Sequence, residues 1–192
     1  MNDGARTRDD LRGGAPQRSP FSFSVWVLGG GALLLALFLL IGYLLPGQWK
    51  ADATRVIAAP PGVLMTYLDS PEGWRAWTPW PDQGVERSGP ERGAGSRISW
   101  DHLDLGTGSF TIDAVESDRV RYSVDVEEGT MLSKGVVTLS PENGTVRVDW
   151  HEEGDFGWNP LMGYWALRME RAQGRELDKS LARLDSLVTG LP

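Results

Sequence analysis

The residues able to do chemistry in this sequence are few, and their types narrow the possibilities at once. Among 192 residues there are two histidines and no cysteine. The missing Cys excludes thiol catalysis, Cys-ligated zinc, iron–sulfur clusters and a disulfide scaffold. With only two His, no metal site or other cofactor is expected. His102 shares its alternation parity with Ile98 and Trp100, so it is predicted to point inward. There an imidazole serves as a base, as a hydrogen-bonding handle or as a satisfied core residue. His151 has the opposite parity to Trp150 and is predicted to face solvent. Asp149, Glu152, Glu153 and Asp155 gather carboxylates suited to acid–base work. Asp149 alternates outward and the others lie near a strand end, so solvated edge charges are the reading adopted. Ser88, Ser96 and Ser109 lie near glycines but lack the strand–Gly-x-Ser-x-Gly–helix setting of a nucleophile. Gly29-Gly30-Gly31 sits inside an apolar run and is no phosphate loop. No catalytic residue is assigned on these grounds, and binding is favoured over catalysis.

The elements that position these residues follow from hydrophobic periodicity. Residues 53–58 read as a short strand stopped by Pro60-Pro61, and Val63, Leu64, Tyr67 and Leu68 share one helical face. A second short helix runs from Glu72 to Ala76. Alternating strands follow: Arg97 to His102, Ser109 to Val115, Arg119 to Glu127, Val136 to Leu139 and Thr145 to Glu152. The third puts Val120, Tyr122, Val124 and Val126 on one face and Arg121, Ser123, Asp125 and Glu127 on the other. Pro141-Glu142-Asn143-Gly144 is an Asn-Gly hairpin signal. Successive strands joined by short turns, each with one apolar face, predict an antiparallel meander with one wet side. Asn159-Pro160 is a helix cap with proline at the first position. The helix it opens shows two stripes, Met162, Trp165, Met169 and Ala172, then Leu177, Leu181, Leu184 and Val188. They change over near Gly174, where a kink or a change of packing partner is expected. The helix is predicted to cover the dry face of the sheet.

Ahead of this domain lies an apolar span. Val25 to Leu45 carries no charge, and its 21 residues make roughly 31 Å of helix, close to the hydrocarbon thickness of a bilayer. Trp26 stands at one end and Tyr43 and Trp49 at the other, where aromatic rings favour the headgroup region. The organisation expected is a disordered tail over 1–20, a transmembrane helix over 21–46 and one folded domain over 47–192. A cleaved signal with Ala51-Asp52-Ala53 as its site is the competing reading, but signal cores are shorter. Arg6, Arg8, Arg12 and Arg18 in the tail predict a cytoplasmic N-terminus and an extracytoplasmic domain. With 19 basic against 26 acidic residues and a net charge of −7, no nucleic-acid partner is expected.

A strand, two short helices, a bent antiparallel sheet and a long final helix make an α+β helix-grip arrangement. From about residue 46 onward the chain resembles the SRPBCC superfamily, in its polyketide cyclase/dehydrase and lipid-transport (START-like) branch. The resemblance rests on Thr54-Arg55-Val56-Ile57-Ala58-Ala59-Pro60-Pro61, the run Trp74 to Trp80, the segment Ser88 to Gly95 with the strand after it, and Asn159-Pro160 leading into a helix that ends Leu177 to Leu184. It implies a deep, mostly apolar cavity between sheet and helix. The residues predicted to face that space are Trp100, His102, Phe110, Ile112, Tyr122 and Val124 from the first strands, with Trp150, Trp165 and Met169. Trp74, Trp77 and Trp80 would wall or gate its mouth, or else form a satellite cluster that pins the short helices. Three functions compete: a membrane-tethered carrier of a hydrophobic small molecule, a cyclase or dehydratase using the same cavity, and a protein-interaction module. A carrier requires an apolar cavity, an enzyme a buried titratable group inside it, and an interaction module a filled core with an apolar surface patch.

Overall fold

The computed structural model describes residues 20–81, 84–102, 106–157 and 159–190. By its internal contacts the chain divides into Met1–Phe38 and Leu39–Pro192. The tail expected over 1–20 lies outside the described residues except for Pro20. The first unit carries most of α1 (Pro20–Leu44), a helix apolar on every face. Within it Val25–Leu44 is long and apolar enough to cross a membrane, a property that a signal sequence shares.

The second unit holds the α+β fold. Its elements are β1 (Gln48–Ile57), α2 (Pro61–Leu68), α3 (Pro71–Arg75), β2 (Val85–Ser88), β3 (Arg97–His102), β4 (Gly106–Val115), β5 (Arg119–Val126), β6 (Met131–Glu142), β7 (Thr145–Asp155) and α4 (Pro160–Thr189). The strands form one antiparallel sheet in the order β1-β7-β6-β5-β4-β3-β2. Each consecutive pair from β2 to β7 is thus a neighbour pair, and β1 closes against the last strand. The β6–β7 turn carries Asn143 at φ 48° and Gly144 at φ 89°, the left-handed pair a tight hairpin needs. Ser70 caps α3 by accepting from Gly73 N at 3.1 Å. Asn159 caps α4 by accepting from Leu161 N at 3.0 Å, with Pro160 next, and Gly190 ends the helix at φ 67°.

Alternation decides which side of the sheet is dry. Val146, Val148 and Trp150 of β7, Val137 and Leu139 of β6 and Val120 and Tyr122 of β5 are all buried. Leu177, Leu181 and Leu184 of α4 and Leu64 and Leu68 of α2 are buried in the same core. Burial of each such side chain contributes about 1.5–3 kcal/mol. Arg55 of β1 holds Asp185 of α4 at 2.9 Å across the core's edge.

Several expectations are corrected. β1 starts five residues earlier than predicted, and Trp49 belongs to it, 3% exposed in the core instead of sitting at the end of the span. Helix α4 is one unbroken helix, and its first turns are rotated by one residue from the predicted stripe. Gly163 and Ala166 are buried where Met162 and Trp165 were expected, and Trp165 is 60% exposed. The cause is steric: a side-chain carbon on Gly163 would overlap Leu45 and the Gly42 carbonyl, so only a small residue fits at that approach. Strand β2, unpredicted, is a largely exposed edge strand of mixed polarity whose pattern carries no apolar face.

Candidate functional site

Between the sheet and α4 lies a cavity of about 420 Å³, so the core is not filled. Its floor is made by a repeated device. Tyr122 lies directly across the ladder from Gly135, Trp100 from Gly108 and Trp49 from Gly154. At each glycine a side-chain carbon would overlap the facing ring. Each ring therefore lies down on bare backbone, and the space a branched residue would have filled stays open above it.

The wall is aromatic. Trp74 lies 4.8 Å from Trp77, 5.2 Å from Phe110, 4.8 Å from Tyr122 and 5.5 Å from Trp150 between ring centroids. Trp80 meets Trp100 at 5.6 Å and Phe110 at 5.2 Å, both edge to face, an arrangement worth about 0.5–1.5 kcal/mol beyond area burial. Trp74 Nε1 donates to the Leu68 carbonyl at 2.7 Å and Trp77 Nε1 to the Tyr67 carbonyl at 3.3 Å. These bonds fasten α3 and the turn after it to the end of α2.

The cavity's polar end centres on Glu152, which is 5% exposed. Its carboxyl accepts from Tyr122 Oη at 3.2 Å, Ser133 Oγ at 3.1 Å and Gln173 Nε2 at 3.0 Å. Trp150 Nε1 donates to Tyr122 Oη at 2.8 Å, so a directed chain runs from indole through phenol to carboxyl. Burial pushes the Glu152 carboxyl above the ordinary carboxylate range, against the pull of its three donors. Burial, reinforced by the neighbouring Glu152, pushes the Tyr122 hydroxyl well above the ordinary phenol range. Trp49 Nε1 lies buried in the same lining without a hydrogen-bond partner among the described residues.

Of the residues predicted to face the space, Trp100, Phe110, Tyr122, Val124, Trp150 and Met169 line the cavity. Ile112 is fully buried but lies outside the lining, beneath the rings. His102, half-buried at the end of β3 opposite Gly106, is also outside it. Trp165 points away, for the steric reason given above. Trp80, half-buried, and Trp74, 1% exposed, both line the cavity, whereas Trp77, also 1% exposed, lies outside the lining. Trp77 packs against Trp74 at 4.8 Å and Trp150 at 5.1 Å, both of which line the cavity. Among the lining residues that sequence reasoning missed are Glu152 and Trp49, with Ser133 and Gln173 beside Glu152. Glu152 was read as an edge charge, although it shares its parity with Val146, Val148 and Trp150, and that period-2 signal places it inside. Trp49 was read as part of the membrane boundary. His151 stands on the opposite face, as expected, and meets Asp52 at 2.7 Å.

A bent sheet closed by one long helix over an aromatic-lined cavity defines a helix-grip protein. Residues 48–189 match the family described as polyketide cyclase / dehydrase and lipid transport, and the chain belongs to that family. Among curated proteins none matches. Solved structures share the fold at low identity. A protein from Thermus thermophilus is 20% identical, with 73% of this chain and 97% of that chain covered and a TM-score of 0.56. CalU16 from Micromonospora echinospora is 19% identical, with coverage of 74% and 76% and a TM-score of 0.52. The di-domain ARO/CYC StfQ from the steffimycin biosynthetic pathway is 11% identical, with coverage of 74% and 51% and a TM-score of 0.57.

Proposed function

We propose that this chain is a membrane-tethered carrier of one hydrophobic small molecule, lipid or polyketide-like, held between the sheet and α4. In this reading residues 1–20 are a cytoplasmic tail, 21–46 span the membrane and 47–192 bind the ligand on the extracytoplasmic side. The observation that carries it is the cavity of about 420 Å³, within the range of small-molecule sites. Trp100, Phe110, Val124 and Met169 take the apolar body of the ligand, and Tyr122, Trp150 and Glu152 mark its polar end. The tether keeps cavity and bilayer at a high effective concentration. The test is native mass spectrometry of the full chain in nanodiscs after purification from a membrane-containing host, with organic extraction. A discrete bound species, displaced by Val124→Phe, is expected. An empty cavity with no uptake from a lipid extract overturns the reading.

One observation favours a second reading, a cyclase- or dehydratase-type enzyme. Glu152 is a carboxyl inside the cavity whose pKa is raised by burial, the direction that suits a general acid. Under that reading Glu152→Gln co-purifies with an unreacted molecule of different mass from the wild-type species. Identical extracted species from both proteins count against catalysis.

A further inference from the structure

The cavity carries an electrostatic imbalance that none of its described lining residues corrects. Three donors converge on the Glu152 carboxyl, an arrangement that favours its ionised form. Yet none of the described lining residues is Lys, Arg or His. The groups facing Glu152 can be named by element. Strand β5 brings Tyr122, β6 brings Ser133, β1 brings Ala51, and α4 brings Gln173 and Glu176. Lys50, Lys134, Glu153 and the His151–Asp52 pair lie on the other face by strand alternation. Glu176 is already held by Arg183 at 3.0 Å and by Lys179 at 3.7 Å. Glu152 therefore has donors laid out for a carboxylate and no cation beside it in the described lining; the charge that reaches it, on His151, lies on the other face of the sheet and is engaged with Asp52, and a poorly paired buried charge is costly.

The rest of the lining points the same way. Tyr122, Trp150, Trp74 and Trp49 share the cavity with Glu152, and aromatic faces attract cations, most strongly where water is excluded. A second buried polar atom is also unanswered: Trp49 Nε1 donates to none of the described residues, and it calls for an oxygen acceptor.

We propose that the cavity selects a cationic amphiphile, a hydrophobic amine or quaternary ammonium whose head sits at Glu152 among the rings and carries an oxygen acceptor for Trp49. This rests on the ligand-binding reading above. The ammonium supplies the countercharge to the Glu152 carboxylate, and its alkyl tail fills the end lined by Trp100, Phe110 and Val124. A fatty-acid anion is excluded by the same charge that draws the cation.

The test is calorimetric titration of the full chain in phosphatidylglycerol nanodiscs, whose lipid carries no ammonium, against an empty-disc blank. The probes are hexyltrimethylammonium, hexanol and hexanoate. The ammonium should bind at least about ten-fold more tightly than hexanol, with hexanoate weakest. Its affinity should rise with pH across the range in which Glu152 ionises, while that of hexanol stays flat. Glu152→Gln should reduce the ammonium to the level of hexanol and leave hexanol unchanged. The wild-type series decides the matter even if that variant fails to fold. Equal binding of ammonium and hexanol, or tighter binding of hexanoate, overturns the cation inference and leaves the carrier reading standing. No binding of any probe, with an empty cavity by mass spectrometry, removes both.

Discussion

Gly135→Ala is the sharpest test of how the cavity is built. Gly135 lies across the β5–β6 ladder from Tyr122, and the added methyl would overlap the Cε1, Cζ and Oη of that ring. Both backbones are fixed by ladder hydrogen bonds, so the ring must lift toward α4. Lifting it breaks the 2.8 Å bond from Trp150 Nε1 and the 3.2 Å bond to Glu152. Overpacking costs about 1–3 kcal/mol. Leaving the Trp150 N–H buried without a partner adds about 1–3 kcal/mol. Replacing glycine in a strand offsets about 0.5–1 kcal/mol. The net loss is about 1–5 kcal/mol, centred near 3, a fall of roughly 2–20 °C in Tm for a domain of this size. Scanning calorimetry of the full chain in nanodiscs measures it. Tyr122→Leu removes the atoms the methyl would strike, so Gly135→Ala should cost almost nothing in that background, a coupling of about 2 kcal/mol or more. An unchanged Tm for Gly135→Ala, or an equal loss in both backgrounds, refutes the argument that this glycine exists to seat the ring.

Three further outcomes are expected. The folded-state pKa of Glu152 lies above its unfolded value, so its contribution to stability is full below the ordinary carboxylate range and is lost as pH rises through the folded pKa. Stability of the wild type should therefore fall relative to Glu152→Gln across that window in pH-dependent melts, and parallel curves would show that burial does not govern this group. Trp74→Ala, at the centre of the ring cluster, should cost about 3–5 kcal/mol by calorimetry, whereas Trp165→Ala, at a position 60% exposed, should stay within about 0.5 kcal/mol; similar losses would restore the predicted helix stripe. The chain should resist alkaline carbonate extraction from membranes at its full 21.1 kDa, and a shorter mature mass would establish cleavage of the apolar segment.

What the sequence made legible was whatever follows from local periodicity. Val120, Tyr122, Val124 and Val126 announced β5, and Asn143-Gly144 announced the β6–β7 turn, because strand alternation and positive φ are properties of neighbouring residues. Glu152 was equally legible by parity and was discarded because a charge near a strand end was assumed to be wet. Only its partners on β5, β6 and α4, at sequence separations of 30, 19 and 21 residues, make its burial tolerable. The register of α4 was off by one residue because Gly163 carries no hydrophobic signal, and its meaning comes from the Gly42–Leu45 segment far away in sequence. The cavity itself was not legible from periodicity. Its volume depends on which glycine faces which ring, and cross-strand register decides that.

The ring cluster has an optical consequence. Chromophores fixed at centroid distances near 5 Å and at set tilts, as Trp74, Trp77 and Trp150 are, share excitation and shape one another's circular dichroism in the near ultraviolet, a signal that vanishes when side chains lose their fixed packing. A molecule entering the cavity meets Trp150, which stands 5.1 Å from Trp77, a ring outside the lining. Occupancy is thereby written into the absorption band of rings the guest never touches. The domain carries its own dye, and unlabelled lipids and amines can be ranked by the spectrum of the protein alone.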